Sequence, residues 1–311
     1  MKRDFIQGSC SIKHFTRGFM NHWEFSPYKD RHAPTVFMGL HPPNMRKVVK
    51  HKGPMILIPG GRGDMDHPKT INMFKTLDTS NCVFHSMDWM IGLAQDLNIP
   101  YVGESDLPGG VGFLTIKKYD SFKAEVKGNL IYIYLGMPRQ RKLQTHPSMK
   151  YKYDHTYLPL VEHFGKKRVA CVMERQIPWP KLRQLYNKSF VNIKPTDGGG
   201  ATTMFEFGHM GKKTISCGWR FYPSSLDAKS PGINFGIHKQ FQTINLRDPK
   251  QKETVFSFIE NEAKLIGTKD EELAERCRKA HWAGNSWLTL KSFNRWKKIA
   301  SRNNKTKNKV L

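Results

Sequence analysis

Two hydrophobic rhythms take turns along this chain. In the first half, short apolar runs at residues 4–7 (DFIQ), 34–40 (PTVFMGL), 54–59 (PMILIP) and 82–84 (CVF) have the length and the enclosure of buried strands. Between them, apolar residues return every three or four positions. Ile12, Phe15, Phe19, Met20 and Trp23 form one such stripe. Residues 45–51, 70–77 and 87–97 read as further helices, the last stopped at Asn98-Ile99-Pro100. Strands alternating with helices predict a parallel sheet covered on both faces.

After a polar passage around residues 120–128 a second series begins. Residues 130–135 (LIYIYL) read as a strand, 157–164 as a helix and 168–173 (RVACVM) as a strand. A helix over 180–187 has proline in its first turn and Leu182, Leu185 and Tyr186 on one face. A strand at 190–193, a glycine-rich loop, a helix through Met210 and a strand at 213–217 follow. The end is helical, carried by Val255, Ile259, Ile266, Leu273, Ala274 and Cys277. No repeat with a period of 20–50 residues is visible. The pattern predicts an α/β fold of two Rossmann-like halves, domain 1–125 and domain 126–290, facing a cleft. A basic tail over 291–311 completes the chain, its residues 301–309 reading as frayed.

Composition narrows the function classes. With 19 Phe, 10 Tyr and 7 Trp among 311 residues, the chain is not a disordered polymer. Five cysteines, at 10, 82, 171, 217 and 277, lie far apart with no CxxC, against a disulfide framework or a structural zinc site. No stretch approaches the roughly 20 apolar residues that span a bilayer. The first residues lack the apolar core of a signal peptide. The expectation is a soluble protein of the cytoplasm, or one peripheral to a membrane.

Charge changes the picture further. The formal net charge is +25, and it is uneven. Residues 1–125 hold 16 basic and 12 acidic side chains, whereas 126–311 hold 35 and 14. Residues 139–194 alone carry 13 basic against 3 acidic, and the last 21 residues carry eight basic and no acidic ones. A basic surface on a folded domain attracts polyanions: nucleotide phosphates, nucleic acid or anionic lipid.

Candidate chemistry concentrates in residues 192–218. A strand runs into Pro195-Thr196-Asp197, then Gly198, Gly199 and Gly200, then a helix start at Ala201-Thr202-Thr203. Successive backbone N–H groups with no side chains in the way make an anion site at a helix N-terminus. Glu206, one turn on, lies within reach of a sugar hydroxyl on whatever the loop holds. The stretch Gly208 to Thr214 is not a Walker loop, and no GxGxxG with a following acid is present.

The segment from Ile177 to Cys217 resembles the donor-binding region of retaining GT-B glycosyltransferases, especially the family-4 group. Ile177-Pro178, Leu182, Leu185-Tyr186, Pro195, Gly198 to Gly200, Glu206, and Gly211 with Ile215 occupy the places of that pattern. The resemblance implies that Glu206 contacts the ribose of a nucleotide sugar, and that the glycine-rich backbone approaches the diphosphate. Such enzymes place two glutamates with seven residues between. Here Asp197 and Glu206 have eight, so Asp197 is either shifted by one or replaced by Gly198. Residues 130–142 (LIYIYLGMPRQRK) resemble the first donor-domain strand and the diphosphate clamp, a role that falls among Arg139, Arg141 and Lys142. Upstream, Gly8 and Ser9 stand where such enzymes carry a small-residue loop facing the donor phosphates. His85 stands where they place a polar residue near the transferred sugar.

The expected activity is therefore transfer of a sugar from a nucleotide-diphospho-sugar co-substrate, with no cofactor or metal required and with retention of configuration implied by the resemblance alone. Partners implied by the charge are a polyanionic acceptor or surface, DNA or an acidic membrane. Two alternatives stand beside it. One is a non-catalytic basic protein of the same fold that binds nucleic acid or a membrane surface. The other is a metal-dependent GT-A enzyme using Asp64 and Asp66 as a DxD pair.

Overall fold

The apolar runs become parallel strands because a run of β-branched and aromatic residues can bury both faces only between two helical layers. A computed structural model describes residues 3–12, 20–21, 23–59, 68–86, 94, 99–103, 122–135, 147–173, 177–195, 202–217, 222–228, 232–235, 238–282 and 288–307. The chain divides into two units, one of residues 1–118 with 280–311, the other of residues 119–279.

The first unit holds β1 (Gln7–Cys10), β2 (Ser26–Pro27), β3 (Thr35–Met38), β4 (Met55–Ile58), β5 (Cys82–Ser86) and β6 (Tyr101–Gly103). They form one parallel sheet in the order β2-β1-β3-β4-β5-β6. Period-two alternation sorts the side chains. Val36, Met38, Ile56, Ile58, Val83 and Val102 pack on one face with Phe5, Trp23 and Phe25. Phe37, Met55, Leu57, Cys82 and Phe84 pack on the other with Met45, Val48 and Phe74.

Two features of this unit differ from the sequence expectation. Gly8 and Ser9 lie inside β1, paired with Val36 and Phe37, and not in a loop after it. The glycine is explained by packing, since a Cβ at position 8 would stand 2.9 Å from the Phe25 ring. The basic segment at the end is a helix, Leu290–Lys307, and it belongs with the first unit. Leu288, Phe293, Trp296 and Ala300 recur at helical spacing and complete the face built on Val36 and Ile56.

The second unit holds β7 (Leu130–Tyr134), β8 (Val169–Val172), β9 (Ser189–Ile193), β10 (Lys213–Ser216) and β11 (Ser225–Asp227). These are parallel in the order β11-β10-β9-β7-β8. A separate antiparallel pair, β12 (Gly232–Phe235) with β13 (His238–Gln242), follows. Helices Pro147–Lys152 and Leu158–Phe164, joined by a π-helical turn at Tyr153–Tyr157, precede β8. Helix Trp179–Asn187 leads into β9, and helix Thr202–His209 into β10. Helix Pro249–Ala263 is capped by Asp248, whose side chain accepts from the Gln251 N–H at 2.8 Å. Glu271–Trp282 is the last helix of the unit.

Gly211 closes helix Thr202–His209 with φ of +70°, and a Cβ there would lie 2.3 Å from the Asp270 carbonyl oxygen. Glycine is required on both counts. Both sheets share one topology, in which the first strand has the second on one side and the third on the other. The strand order reverses between first and third, at β1/β3 and at β7/β9. In open α/β sheets the carboxyl ends of the strands at such a switch point are where ligands bind. Among the described residues no helix is long and apolar enough to cross a membrane.

Candidate functional site

In the second unit the switch point is marked by two lysines. Lys152, at the end of its helix, donates from Nζ to the carbonyl of Leu135, the residue after β7, at 2.8 Å. Lys194 follows β9 directly and is only 6% exposed. Burial, together with the positive charge of Lys194, pushes the Lys152 ammonium down to about 8. Two like charges at a poorly hydrated edge each make the other's charged form less favourable. Neither residue was singled out by the sequence reading, although both fall within the basic run 139–194.

The chain flanking this edge is fixed from both sides. The Lys194 N–H donates to Ile215 O at 2.9 Å, and the Ile244 N–H to Pro195 O at 2.8 Å. Asp197, Gly198, Gly199, Gly200 and Ala201 lie outside the described residues, as do Arg139, Arg141 and Lys142, and Asp64 and Asp66. Thr202 is the first residue of the following helix, and Thr203, the next, is partly buried.

Glu206 sits on that helix, 3% exposed. The sequence places it within reach of a ligand's sugar hydroxyl; in the structure it is buried beside Tyr186 and Tyr132. The Tyr186 hydroxyl lies near both Glu206 and Tyr132. Burial first, and the Glu206 charge next, raise the Tyr186 phenol above its ordinary range, and burial raises that of Tyr132. The Tyr132 and Tyr186 rings meet edge to face at 5.1 Å, with Phe207 4.9 Å from Tyr186. The acid thus neighbours a tyrosine pair that reaches the middle of β7. The motif "LY" at 185–186 carried a visible trace of it.

At the opposite, amino edge of the same sheet the ionic groups are internal ties. Lys127 donates to Glu262 at 3.0 Å, both side chains buried, and Lys213 reaches the same carboxylate at 2.6 Å. Lys212 is wholly buried and donates to Tyr186 O at 2.7 Å and Asn187 O at 3.1 Å, closing the end of helix Trp179–Asn187. Burial pushes it down to about 7.

The first unit's switch point is built differently. Asn44, buried on helix Pro42–Val48, donates from Nδ2 to Gly39 O at 2.7 Å, Met38 O at 3.1 Å and Ser9 O at 3.2 Å. It ties the carboxyl ends of β1 and β3 together. Ser9 donates to Asn44 Oδ1 at 2.6 Å and accepts from Lys47 Nζ at 2.9 Å. Gly8 and Ser9 are thereby part of the framework beneath this edge. His85, in β5, is 3% exposed, and burial pushes its imidazole down to about 4, so it is neutral at neutral pH. Among the described residues no three His, Cys, Asp or Glu side chains cluster as a metal site would need.

No family model and no curated protein matches this sequence. Among solved structures, sucrose-phosphate synthase from Thermosynechococcus elongatus superposes with a TM-score of 0.44 at 10% identity, over 86% of this chain and 74% of that one. The catalytic domain of starch synthase IV from Arabidopsis thaliana, bound to ADP and acarbose, superposes with a TM-score of 0.39 at 8% identity, over 92% and 75%.

Proposed function

We propose that this chain is a glycosyltransferase of the GT-B type, moving a sugar from a nucleotide-diphospho-sugar to an acceptor, without an essential metal and with retention of configuration. The observation that carries the reading is the Lys152/Lys194 pair at the switch point of the second sheet. It stands beside a strand that runs through a three-glycine loop into a helix. Two separate parallel sheets favour this type over a single-sheet DxD enzyme.

In this reading the donor diphosphate lies at the carboxyl edge of β7 and β9. Lys152 and Lys194 meet its charge, and Arg139, Arg141 or Lys142 adds to them. Negative charge grows on the departing nucleoside diphosphate as the glycosidic bond breaks. Fixed cations in a dry edge stabilise that charge more than they stabilise the intact donor. In this reading the backbone N–H groups of Gly198 to Gly200, which carry no Cβ, approach the phosphates, and the helix that starts at Thr202 follows. Glu206 accepts from a ribose hydroxyl, and the Tyr186 hydroxyl holds its carboxylate in position. Asp197 is the candidate acid at the reacting carbon, and His85 lines the acceptor side as a neutral hydrogen-bonding group.

The test is direct. Transfer measured with a panel of nucleotide sugars should survive EDTA and fall at least tenfold in Lys152→Met and in Glu206→Ala. Wild-type turnover in both variants would contradict the donor-site assignment. Activity lost to EDTA and restored by manganese would transfer the case to Asp64 and Asp66.

A further inference from the structure

Helix Leu290–Lys307 has two faces with different tasks. Phe293, Trp296 and Ala300 are buried in the first unit's core, and Asn303 donates from Nδ2 to Tyr101 O, at the start of β6, at 3.2 Å. The helix therefore crosses the sheet from the Leu288 end, where the Asp4 and Phe5 N–H groups donate to Leu288 O, to the β6 edge. On its outward side Lys291, Arg295, Lys298 and Arg302 are all exposed. At about 100° per residue these four fall within about 60° of one another, opposite the buried row. No acidic residue occurs anywhere in the helix. Among the described residues no carboxylate pairs with Lys291, Arg295 or Lys298.

We infer that this row is a docking surface for a nucleic-acid backbone. It is distinct from the donor site and independent of the reading given above. From Lys291 to Arg302 the row is about 16 Å long at 1.5 Å per residue. Over that axial length a duplex presents about ten phosphate charges on its two strands, one per about 1.7 Å. A row of cations against such a backbone meets an excess of phosphate charge. A membrane surface fits less well. Helices that lie in a bilayer interface sink an apolar face into it, and here that face is already spent on the protein's own core. The row reads charge alone, so the binding it confers is indifferent to base sequence.

Counterion release gives the size of the effect. Four phosphate contacts on duplex DNA contribute about −3.6 to the slope of log affinity against log salt. Between about 50 and about 200 mM salt this row alone then accounts for about a 150-fold loss of affinity. The experiment is fluorescence anisotropy of the full chain with a labelled mixed-sequence duplex across that salt range. It is run on wild type and on a variant carrying Lys291→Gln, Arg295→Gln, Lys298→Gln and Arg302→Gln. All four positions are exposed, and matched thermal melts confirm that the core is intact. A second variant, Lys166→Gln with Lys167→Gln and Arg168→Gln, removes three exposed cations from the other unit. The expected result is duplex binding by wild type, a slope shallower by about 3 to 4 in the helix variant, and little change in the second. The inference is overturned by no duplex binding at about 50 mM salt, or by an equal loss of slope in the two variants. Retention on phosphatidylserine vesicles without any duplex binding overturns it as well.

Discussion

Replacing Tyr186 by phenylalanine is the sharpest test of how Glu206 is held. The ring is 1% exposed and packed by Tyr132, Phe207 and, at 6.1 Å, Trp179. Phenylalanine keeps those contacts and deletes only the hydroxyl, so cavity terms are negligible. What is lost is the hydroxyl's polar contact with a buried acid and with Tyr132. Hydrogen bonds to charged groups contribute about 1.5–3 kcal/mol, and a buried group left without its partner bears the desolvation cost in full. We expect Tyr186→Phe to cost about 2–3 kcal/mol. For a folded unit of roughly 150–250 residues that lowers Tm by about 4–12 °C. Urea unfolding supplies the free energy and calorimetry the Tm. Glu206→Met in the Tyr186→Phe background removes both partners together, and replacing both by apolar groups is nearly neutral. The double variant should then be less destabilised than the sum of the singles by at least about 1 kcal/mol. Simple additivity, or a Tyr186→Phe variant as stable as wild type, would refute the argument.

Glu262→Gln leaves the Lys127 ammonium buried without its counter-charge and should cost about 3–5 kcal/mol in urea unfolding; a loss below about 1 kcal/mol would contradict it. His85 binds its proton at about 4 when folded and near 6.5 when unfolded, so the unfolded chain holds more protons in between. Stability of the first unit should therefore fall by up to about 3 kcal/mol as pH drops through that window, and His85→Gln should flatten the fall. His51 is lowered in the same direction by burial, so some slope remains in that variant. Lys152 is charged only below about 8, so nucleoside diphosphate affinity should weaken as pH rises past it. A flat profile to pH 9 in calorimetric titration would remove Lys152 from the site.

What the sequence could disclose depended on whether the signal was local. The runs at 130–135 and 54–59 announced β7 and β4 because a strand buried on both faces must be apolar throughout. Gly211 and Ile215 were legible because one ends a helix in the left-handed region and the other lies inside a short buried strand. Gly8 and Ser9 misled, since a small polar pair reads as a turn and only the three-dimensional position of Phe25 makes the glycine part of a strand. The last helix was hidden by its own composition. Eight cations over 291–311 outweigh the sparse Phe293, Trp296 and Ala300 that seat it in the core. Lys152 and Lys194 are 42 positions apart, and nothing local pairs them. Their meeting follows from the strand order β9-β7-β8, which a sequence does not print. Glu206 was found as a candidate, but its enclosure by Tyr132 and Tyr186 is likewise a product of which helices cover which strand.

The central claim is that the carboxyl edge of β7 and β9 holds a nucleoside diphosphate. Calorimetric titration with UDP, GDP and ADP, with CMP as the monophosphate comparison, tests it most directly, on wild type and on a Lys152→Met, Lys194→Met variant. Each charge-assisted contact contributes about 1.5–3 kcal/mol, so losing two should weaken binding at least about 100-fold. The account predicts that one diphosphate binds wild type more tightly than CMP, and that the double variant loses it while its melting transition stays cooperative. Absence of binding by every diphosphate, or binding that the double variant keeps, would contradict it.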